Sequence, residues 1–409
     1  MSQRTDGVLY LIHYSSDIGL KGKNRPDFVR QLKANLRRQL PLRRVQEVQS
    51  RLLAWGPTSD LDLSRVFGVA WWTVPRVVAP PTWDAVVATG VAMVREAIAR
   101  QNVRSFAVRA RRSDKRYPKT SLAIERELGA AIVEATGLKV NLTQPDLTVW
   151  VEVLRDQAFV YTQKFRGYQG LPVGISGKVF GLFSGGVDSL MAAWFMARRG
   201  AAVELVHFHA FTEARYAHQD KAGALAQALA AFIPGLRVHY IPYYLFQAAT
   251  LSLSARDQRY ELIIFRRFMA RAAVALAQKH GGQAIFTGDS LAQVASQTME
   301  NLAAVDDAVG SFPLFRPLIA FNKDETIGWA ERLGFYDIAK RPYKDCCAII
   351  SKNPATRARL ARVRALEAQL NLEPVLQASL DAVETIAYPA DDLPPWPGPT
   401  SSPNPVPGA

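Results

Sequence analysis

The sequence predicts an α/β protein, a doubly wound parallel sheet preceded by smaller α+β units, and three observations carry that expectation. From residue 178 onward, short apolar runs alternate with stretches of helical period, the pattern of successive βαβ units. At the start of that region Ser184-Gly185-Gly186-Val187-Asp188-Ser189 separates an apolar run, 179–183, from a helix-forming run, 190–197, that ends at Gly200. A glycine-rich turn therefore stands at the carboxyl end of a buried strand, where doubly wound sheets bind their ligands. Upstream, residues 66–162 alternate strand and helix signals at closer spacing, which suggests a compact α+β unit with its own sheet.

Taken in order, the first elements are a strand over 8–14 and a helix over 27–40 carrying Arg30, Lys33, Arg37 and Arg38, with Lys21-Gly22-Lys23-Asn24-Arg25 between them. A second unit begins near Val66-Phe67-Gly68. Its expected elements are helices over 83–100 and 121–136 and strands over 106–109, 147–153 and 158–162, and 167–177 reads as a glycine-rich linker. In the third region, strands over 203–208, 237–241 and 284–287 are interleaved with helices over 216–232 and 258–279, and a further helix spans 323–333. A basic helix with Arg357, Arg359, Arg362 and Arg364 follows. Residues 389–409 hold eight prolines and almost no charge, the composition of a disordered extension. The pairs Trp71-Trp72 and Tyr243-Tyr244 are expected in cores.

Composition narrows the function classes. At 409 residues, 49% hydrophobic and 21% charged, the chain can build two or three cores without staples. Its formal charge of +14 calls for a polyanionic partner. A membrane surface is the rival, but no apolar run approaches the roughly 18 residues of a spanning helix, and no secretory or lipidation signal is evident, so a cytoplasmic location is expected. Two adjacent cysteines, Cys346 and Cys347, exclude a disulfide framework and a multi-cysteine zinc or iron-sulfur site within one chain.

The turn at 184–189 has the chemistry of a phosphate cradle. Glycines let backbone N–H groups approach an anion, the helix N-terminus adds partial positive charge, and serine hydroxyls donate further bonds. Asp188 can hold the Mg²⁺ that accompanies a nucleotide. The lysine of a Walker loop is missing after the second glycine. The turn instead resembles the SGGxDS pyrophosphatase loop, or PP-loop, of ATPases that cleave ATP between its α and β phosphates and adenylate an oxygen.

Further segments fall into the same order. Lys21-Gly22-Lys23-Asn24-Arg25, Val66-Phe67-Gly68, residues 109–115, Gly170-Leu171-Pro172-Val173-Gly174, the turn itself, residues 288–298, Arg316-Pro317-Leu318 and Asp345-Cys346-Cys347 together resemble the ThiI family of tRNA 4-thiouridine synthetases over residues 8 to about 360. The resemblance implies a ferredoxin-like domain over 1–64, an RNA-binding THUMP domain over 65–170 and a PP-loop domain over 178–370, to which composition adds the disordered tail over 389–409. It implies ATP-dependent thiolation of tRNA uridine 8, with sulfur arriving as a cysteine persulfide from a cysteine desulfurase or another donor protein, and it allows a homodimer.

By the same carry-over, adenine and ribose lie near Leu182, Phe183, His207, Phe208, Arg266, Gly288 and Gln297. The phosphates lie at Ser184, Gly185, Gly186 and Ser189, and Mg²⁺ at Asp188. Cys347 is the persulfide carrier and Cys346 its neighbour in the catalytic set; Lys340, Arg341 and Lys344 are placed to lower the carrier's pKa. Lys21, Lys23, Arg25 and Arg109, Arg111, Arg112, Lys115, Arg116 meet tRNA phosphates.

Two departures keep a carboxylate: Ser16-Asp17 replaces the usual Gly-Glu, and Gly288-Asp289-Ser290-Leu291-Ala292-Gln293 replaces GESLGQ. The rhodanese domain of some members has no counterpart after residue 370, which puts the thiamine-thiazole side role in doubt. The rival readings are a PP-loop ligase or amidating enzyme on a small molecule, which would not need the basic N-terminal 177 residues, and an RNA-binding protein with a decayed ATPase, which intact Ser184, Asp188 and Cys347 disfavour.

Overall fold

The computed structural model describes residues 7–343, 346, 350 and 354–399. The chain divides into two compact units, one ending at Gly170 and the other beginning at Leu171.

The first unit holds two five-stranded sheets. Strands β1 (Val8–Tyr14), β2 (Arg44–Val48), β3 (Arg51–Gly56) and β4 (Val69–Thr73) open the first sheet, and β5 (Arg76–Val78), β6 (Ser105–Arg112), β7 (Lys139–Val140), β8 (Leu147–Leu154) and β9 (Gln157–Tyr161) make the second. The chain then returns through β10 (Phe165–Arg166) to the edge of the first sheet beside β4. The orders are β10-β4-β1-β3-β2 and β5-β9-β8-β6-β7.

The expected cut at 64/65 falls before β4, which pairs with β1 and so belongs to the first sheet. Sequence adjacency misleads there because the hydrogen-bond partner is 60 residues upstream. The 167–177 segment is not a loose linker at its start. Gly167 donates to Ala70 O, and a Cβ there would lie 2.2 Å from Val69 O, so only glycine fits.

β8 shows how period two divides the second sheet. Leu147, Val149, Val151 and Val153 face the helices Trp83–Arg100 and Ser121–Thr136, through Val86, Val94, Ile124, Leu128 and Ile132. Trp150 and Leu154 turn the other way and meet Leu11 and Leu53 of the first sheet. Glu152 shares that second face. It is 2% exposed and would be prohibitive alone, but Arg51 Nε donates to it at 2.7 Å and His13 Nε2 lies 2.9 Å away, with Trp71 stacked on the His13 ring at 3.6 Å. Burial pulls the His13 imidazole down to about 4 against the pull of Glu152, so the ring is neutral and donates to the carboxylate.

The second unit is a three-layer α/β/α sandwich. Its strands are β11 (Lys178–Leu182), β12 (Ala202–His209), β13 (Arg237–Pro242), β14 (Ala284–Phe286), β15 (Leu314–Phe315) and β16 (Glu384–Ala387), in the order β15-β14-β11-β12-β13-β16. β11 to β15 run parallel, and β16 is antiparallel on β13. From β11 the chain builds outward on one side and then returns to build on the other, so the strand order reverses between β11 and β14. That switch point opens a crevice at the carboxyl ends of both strands.

One face of the sheet is covered by helix Glu261–Lys279, whose Phe265 and Phe268 join Phe180, Val206, Phe208 and Ile285. Helix Val187–Arg198 lies with Trp194 among Phe232 and Trp329.

Several expectations are corrected. The helix over 216–232 is two, Ala214–His218 and Lys221–Ala230, because the Asp220 side chain accepts from Lys221 N and restarts the chain. Tyr244 is 55% exposed, unlike Trp72 and Tyr243.

The tail is ordered as far as it is described, through residue 399. β16 pairs with β13, and the buried Tyr388 hydroxyl meets Tyr240 OH at 2.6 Å and His218 Nδ1 at 2.7 Å. Asp392 accepts from His218 Nε2, and Trp396 packs on Phe335 and Phe232. Prolines stop regular structure there, but the interleaved aromatics supply burial that composition alone does not weigh. Residues 400–409 lie outside the described residues. No helix among the described residues is long and apolar enough to cross a membrane.

Candidate active site

At the end of β11 the chain enters the 184–189 turn with Gly185 at φ +78° and reaches Gly186, which caps helix Val187–Arg198. The turn is wired to itself. Ser184 N donates to Ser189 Oγ, Ser189 Oγ donates to Gly186 O, and Gly186 N donates to Ser184 Oγ. This fixes the loop before any ligand arrives and leaves the helix N-terminus facing the crevice.

Across the switch point Gly288 follows β14. A Cβ there would sit 2.6 Å from the Asp188 carbonyl carbon and from Ser189 N, so a glycine is required for the β14 loop to touch the start of the helix.

Between the two loops lies a cleft of about 240 Å³. Leu182, Phe183, Phe208 and Phe265 make its apolar wall; Ser184, Asp188, Ser189, Arg266, Gly288 and Gln297 line its polar side. Flat apolar walls with a few convergent polar groups suit a base and sugar, and the adjoining serine-glycine turn suits phosphates.

The polar side is organised by Asp289, 4% exposed. Arg266 Nη2 donates to it at 2.6 Å, Thr287 Oγ1 at 2.7 Å and Gln297 Nε2 at 3.1 Å, while Arg266 Nη1 reaches Ser296 O at 2.8 Å. Burial pushes the Asp289 carboxyl up, but the Arg266 charge and these three bonds outweigh it and hold the carboxyl below its usual range. Because the carboxylate only accepts, the Gln297 amide must turn its NH₂ toward it. Gln297 Oε1 then has no partner among the described residues and is left as an acceptor in the cleft wall.

Asp188 opens onto the mouth of the cleft. Lys323 Nζ stands 2.7 and 2.9 Å from its two oxygens, and Gln293 Nε2 donates at 3.0 Å. Lys323 begins helix Lys323–Arg332, presented by a capping box between Asn322 and Glu325. Sequence reasoning missed it. The lysine absent from the turn is supplied 135 residues later, and the only local signal was the helix-start pattern Asn-Lys-Asp-Glu.

Among the described residues no group of three His, Cys, Asp or Glu side chains could hold a metal. Asp188 is a single carboxylate, a donor set that fits an ion brought in on phosphate oxygens better than one resident in the protein.

His207 does not face the cleft. It is fully buried, its Nδ1–H donates to Phe183 O at 2.6 Å, and Nε2 accepts from Tyr343 OH at 2.7 Å. Burial pulls the imidazole down to about 4 despite the bond to Phe183, so both ring nitrogens are spent on the fold. Cys346 is 3% exposed, lines the cleft and donates from Sγ to Phe208 O at 3.4 Å. Cys347 and Lys344 lie outside the described residues.

The basic residues of the first unit gather at two places. Lys21, Lys23 and Arg25 surround the turn Gly22–Asn24, where Lys23 is exposed and Lys21 sits 5.0 Å from the Phe28 ring. The others follow β6 and its turn. Arg111 and Lys115 are exposed, Arg109 donates to Leu142 O, Arg112 to Tyr117 O, and Arg116 is forked onto Asp114, whose carboxyl that guanidinium holds down near 2.

Comparison with known proteins extends this geometry. Residues 174–372 match the family of the thiamine biosynthesis protein ThiI, residues 82–163 match the THUMP domain, and residues 9–72 match the ThiI ferredoxin-like domain. A probable tRNA sulfurtransferase of Thermus thermophilus is 40% identical over 402 residues, which covers 96% of this chain and 95% of that protein. One from Acetivibrio thermocellus is 33% identical, covering 93% and 99%. The crystal structure of a 4-thiouridine synthetase–RNA complex with bound ATP is similar with a TM-score of 0.83 at 32% identity, over 93% of this chain and 100% of that one.

Proposed function

The chain belongs to the ThiI family of tRNA sulfurtransferases, and from that premise we propose that it adenylates uridine 8 of tRNA and replaces O4 with sulfur, giving 4-thiouridine. The observation that carries the reading is the PP-loop at the β11/β14 switch point, with Asp188 and Lys323 at its mouth and an apolar, Gln297-walled cleft beside it.

ATP enters as a substrate. Its adenosine takes the cleft, between the apolar wall of Leu182, Phe183 and Phe208 and the polar side of Arg266, Gly288 and Gln297. The triphosphate lies along Ser184–Ser189, and Lys323 supplies the positive charge that a Walker lysine would. Asp188 would hold a Mg²⁺ carried on the phosphates, and such an ion would neutralise charge developing on the leaving pyrophosphate.

Uridine O4 attacks the α-phosphorus, the Pα–O bond to the β-phosphate breaks, and pyrophosphate leaves. O4 is then part of AMP, a far better leaving group. The terminal sulfur of a Cys347 persulfide attacks C4, AMP departs, and a second thiol opens the remaining S–S bond and takes the disulfide. An external dithiol then reduces the Cys347 disulfide, and the freed thiol takes a terminal sulfur from a persulfide donor protein such as a cysteine desulfurase. Cys346, buried and bonded to Phe208 O, is poorly placed as that second thiol.

The first unit holds the tRNA. Lys23, Arg111 and Lys115 meet phosphates directly, and Lys21, Arg25, Arg109, Arg112 and Arg116 shape the basic field around them. The test is nucleoside mass spectrometry of tRNA from cells with and without the protein. 4-Thiouridine should vanish on deletion, and its persistence at the normal level would refute the reading.

A further inference from the structure

The residues on either side of positions 344 and 345 are both fastened to the end of β12, by neighbouring residues of that strand. Tyr343 OH donates to the His207 imidazole, and Cys346 Sγ donates to the Phe208 carbonyl. A further tether lies just upstream, where the 8%-exposed Lys221 reaches the Arg341 carbonyl at 2.9 Å. The Tyr343 ring also lies over the phosphate turn: a Cβ on Gly185 would come within 3.8 Å of it.

The hydrogen-bond logic is directional. A carbonyl only accepts, so the Phe183 carbonyl takes the His207 Nδ1 proton. That leaves Nε2 as an acceptor, and the tyrosine hydroxyl must donate. One chain of bonds thus runs from the residue that precedes Ser184 of the turn, through His207, to Tyr343, 136 positions along the sequence from His207. Neither ring lines the cleft.

We propose that His207 and Tyr343 are positioning residues that register the chain at Tyr343 and Cys346 against the phosphate turn, and that they serve sulfur transfer rather than adenylation. The inference rests on the function proposed above. Adenylation needs the turn, the cleft and Asp188, none of which depends on the tyrosine hydroxyl. Sulfur transfer needs a thiol-bearing segment brought to the carbon that adenylation has activated, and a small misplacement of a reacting group is enough to slow such a step.

The experiment uses the full chain with ATP, tRNA and a persulfide-loaded donor protein, and scores pyrophosphate release and thiouridine separately in wild type and in Tyr343→Phe. The variant keeps the ring over Gly185 and removes only the donor. It should leave the KM for ATP and the rate of pyrophosphate release within about twofold of wild type, and slow thiouridine formation by about tenfold or more. His207→Asn keeps an NH₂ donor near the Nδ1 position for the Phe183 carbonyl, removes the Nε2 acceptor and should give the same split, so the test survives if one variant folds poorly.

An equal fall in both steps would make the bond a prop for the nucleotide site and overturn the proposal, as would full thiolation in either folded variant. A wild-type protein that releases no tRNA-dependent pyrophosphate and makes no thiouridine would instead refute the functional reading, whatever the variants do.

Discussion

Each unit buries an arginine–carboxylate pair, and the two pairs do different work. Arg51–Glu152 sits between two sheets of the first unit, closed in by His13 and Trp71. Arg266–Asp289 forms one wall of the cleft in the second. Each leaves a polar atom unmatched, Arg51 Nη2 and Gln297 Oε1. Both atoms are buried, but Arg51 lies between two sheets, whereas Arg266 and Asp289 line the cleft. A buried charge in itself therefore says little about function; what distinguishes the two is whether the pair borders a cavity or a packed layer.

Substitutions can break that contrast at several points. The greatest loss should come from Cys347→Ser, which should still release pyrophosphate and form adenylated tRNA but reduce thiouridine to background, while Cys346→Ser keeps at least part of the activity. Thiouridine and adenylate scored separately decide it, and a dead Cys346→Ser beside an active Cys347→Ser would reverse the roles.

Glu152→Ala strands Arg51 in an apolar layer and should cost about 3–5 kcal/mol of the first unit's stability in urea unfolding, with ATP affinity untouched. Asp188→Asn should act the other way round. tRNA-dependent pyrophosphate release should fall roughly 10²–10³-fold, the size of losing one preorganised charge contact, with unchanged tRNA affinity and unchanged melting. If Glu152→Ala impaired ATP binding as much as Asp188→Asn impairs turnover, the division of labour would be wrong.

Acid should touch both units. His13 and His207 are each held near 4, below the ordinary 6.5, so between those values the unfolded chain takes up protons that the folded chain refuses. Stability is full above pH 6.5 and falls as pH drops toward 4, by at most about 3 kcal/mol per histidine. His13→Gln should flatten that dependence in the first unit's unfolding transition and leave it in the second's.

Smallest is the salt effect. tRNA affinity should fall steeply with salt, and Arg111→Ala or Lys115→Ala should each lower the slope of log K against log[salt] by about 1. Arg116→Ala should change it less, because Asp114 already neutralises that guanidinium.

The doubly wound sheet was legible because its strands and helices carry strong, separate periods, and the turn at 184–189 was legible because backbone chemistry demands glycine and serine there. The element bounds of helix Ser121–Thr136 matched for the same reason, with a threonine cap and Gly137 at φ +70° ending it. What stayed hidden depended on distance. Lys323 reaches Asp188 from another element, β4 finds its partner across a long loop, and the Asp289 network is a set of side chains whose meeting no local pattern announces. His207 was expected near the nucleotide, but its buried ring is bonded to Phe183 O and Tyr343 OH and is not part of the cleft lining, pairings that no local pattern announces.

β16 has a consequence for how the protein can be cut. Parallel sheets normally end on exposed outer strands, and the unpaired amides of such a rim are a template for pairing with another chain. Here Glu384–Ala387 lies antiparallel along Arg237–Pro242 and occupies that rim, with Tyr388 and Trp396 pinning the segment in place. The autonomous folding unit is therefore longer than the stretch of family similarity that ends at residue 372. A fragment trimmed to that limit would keep every residue of the cleft and lose its guard against self-association.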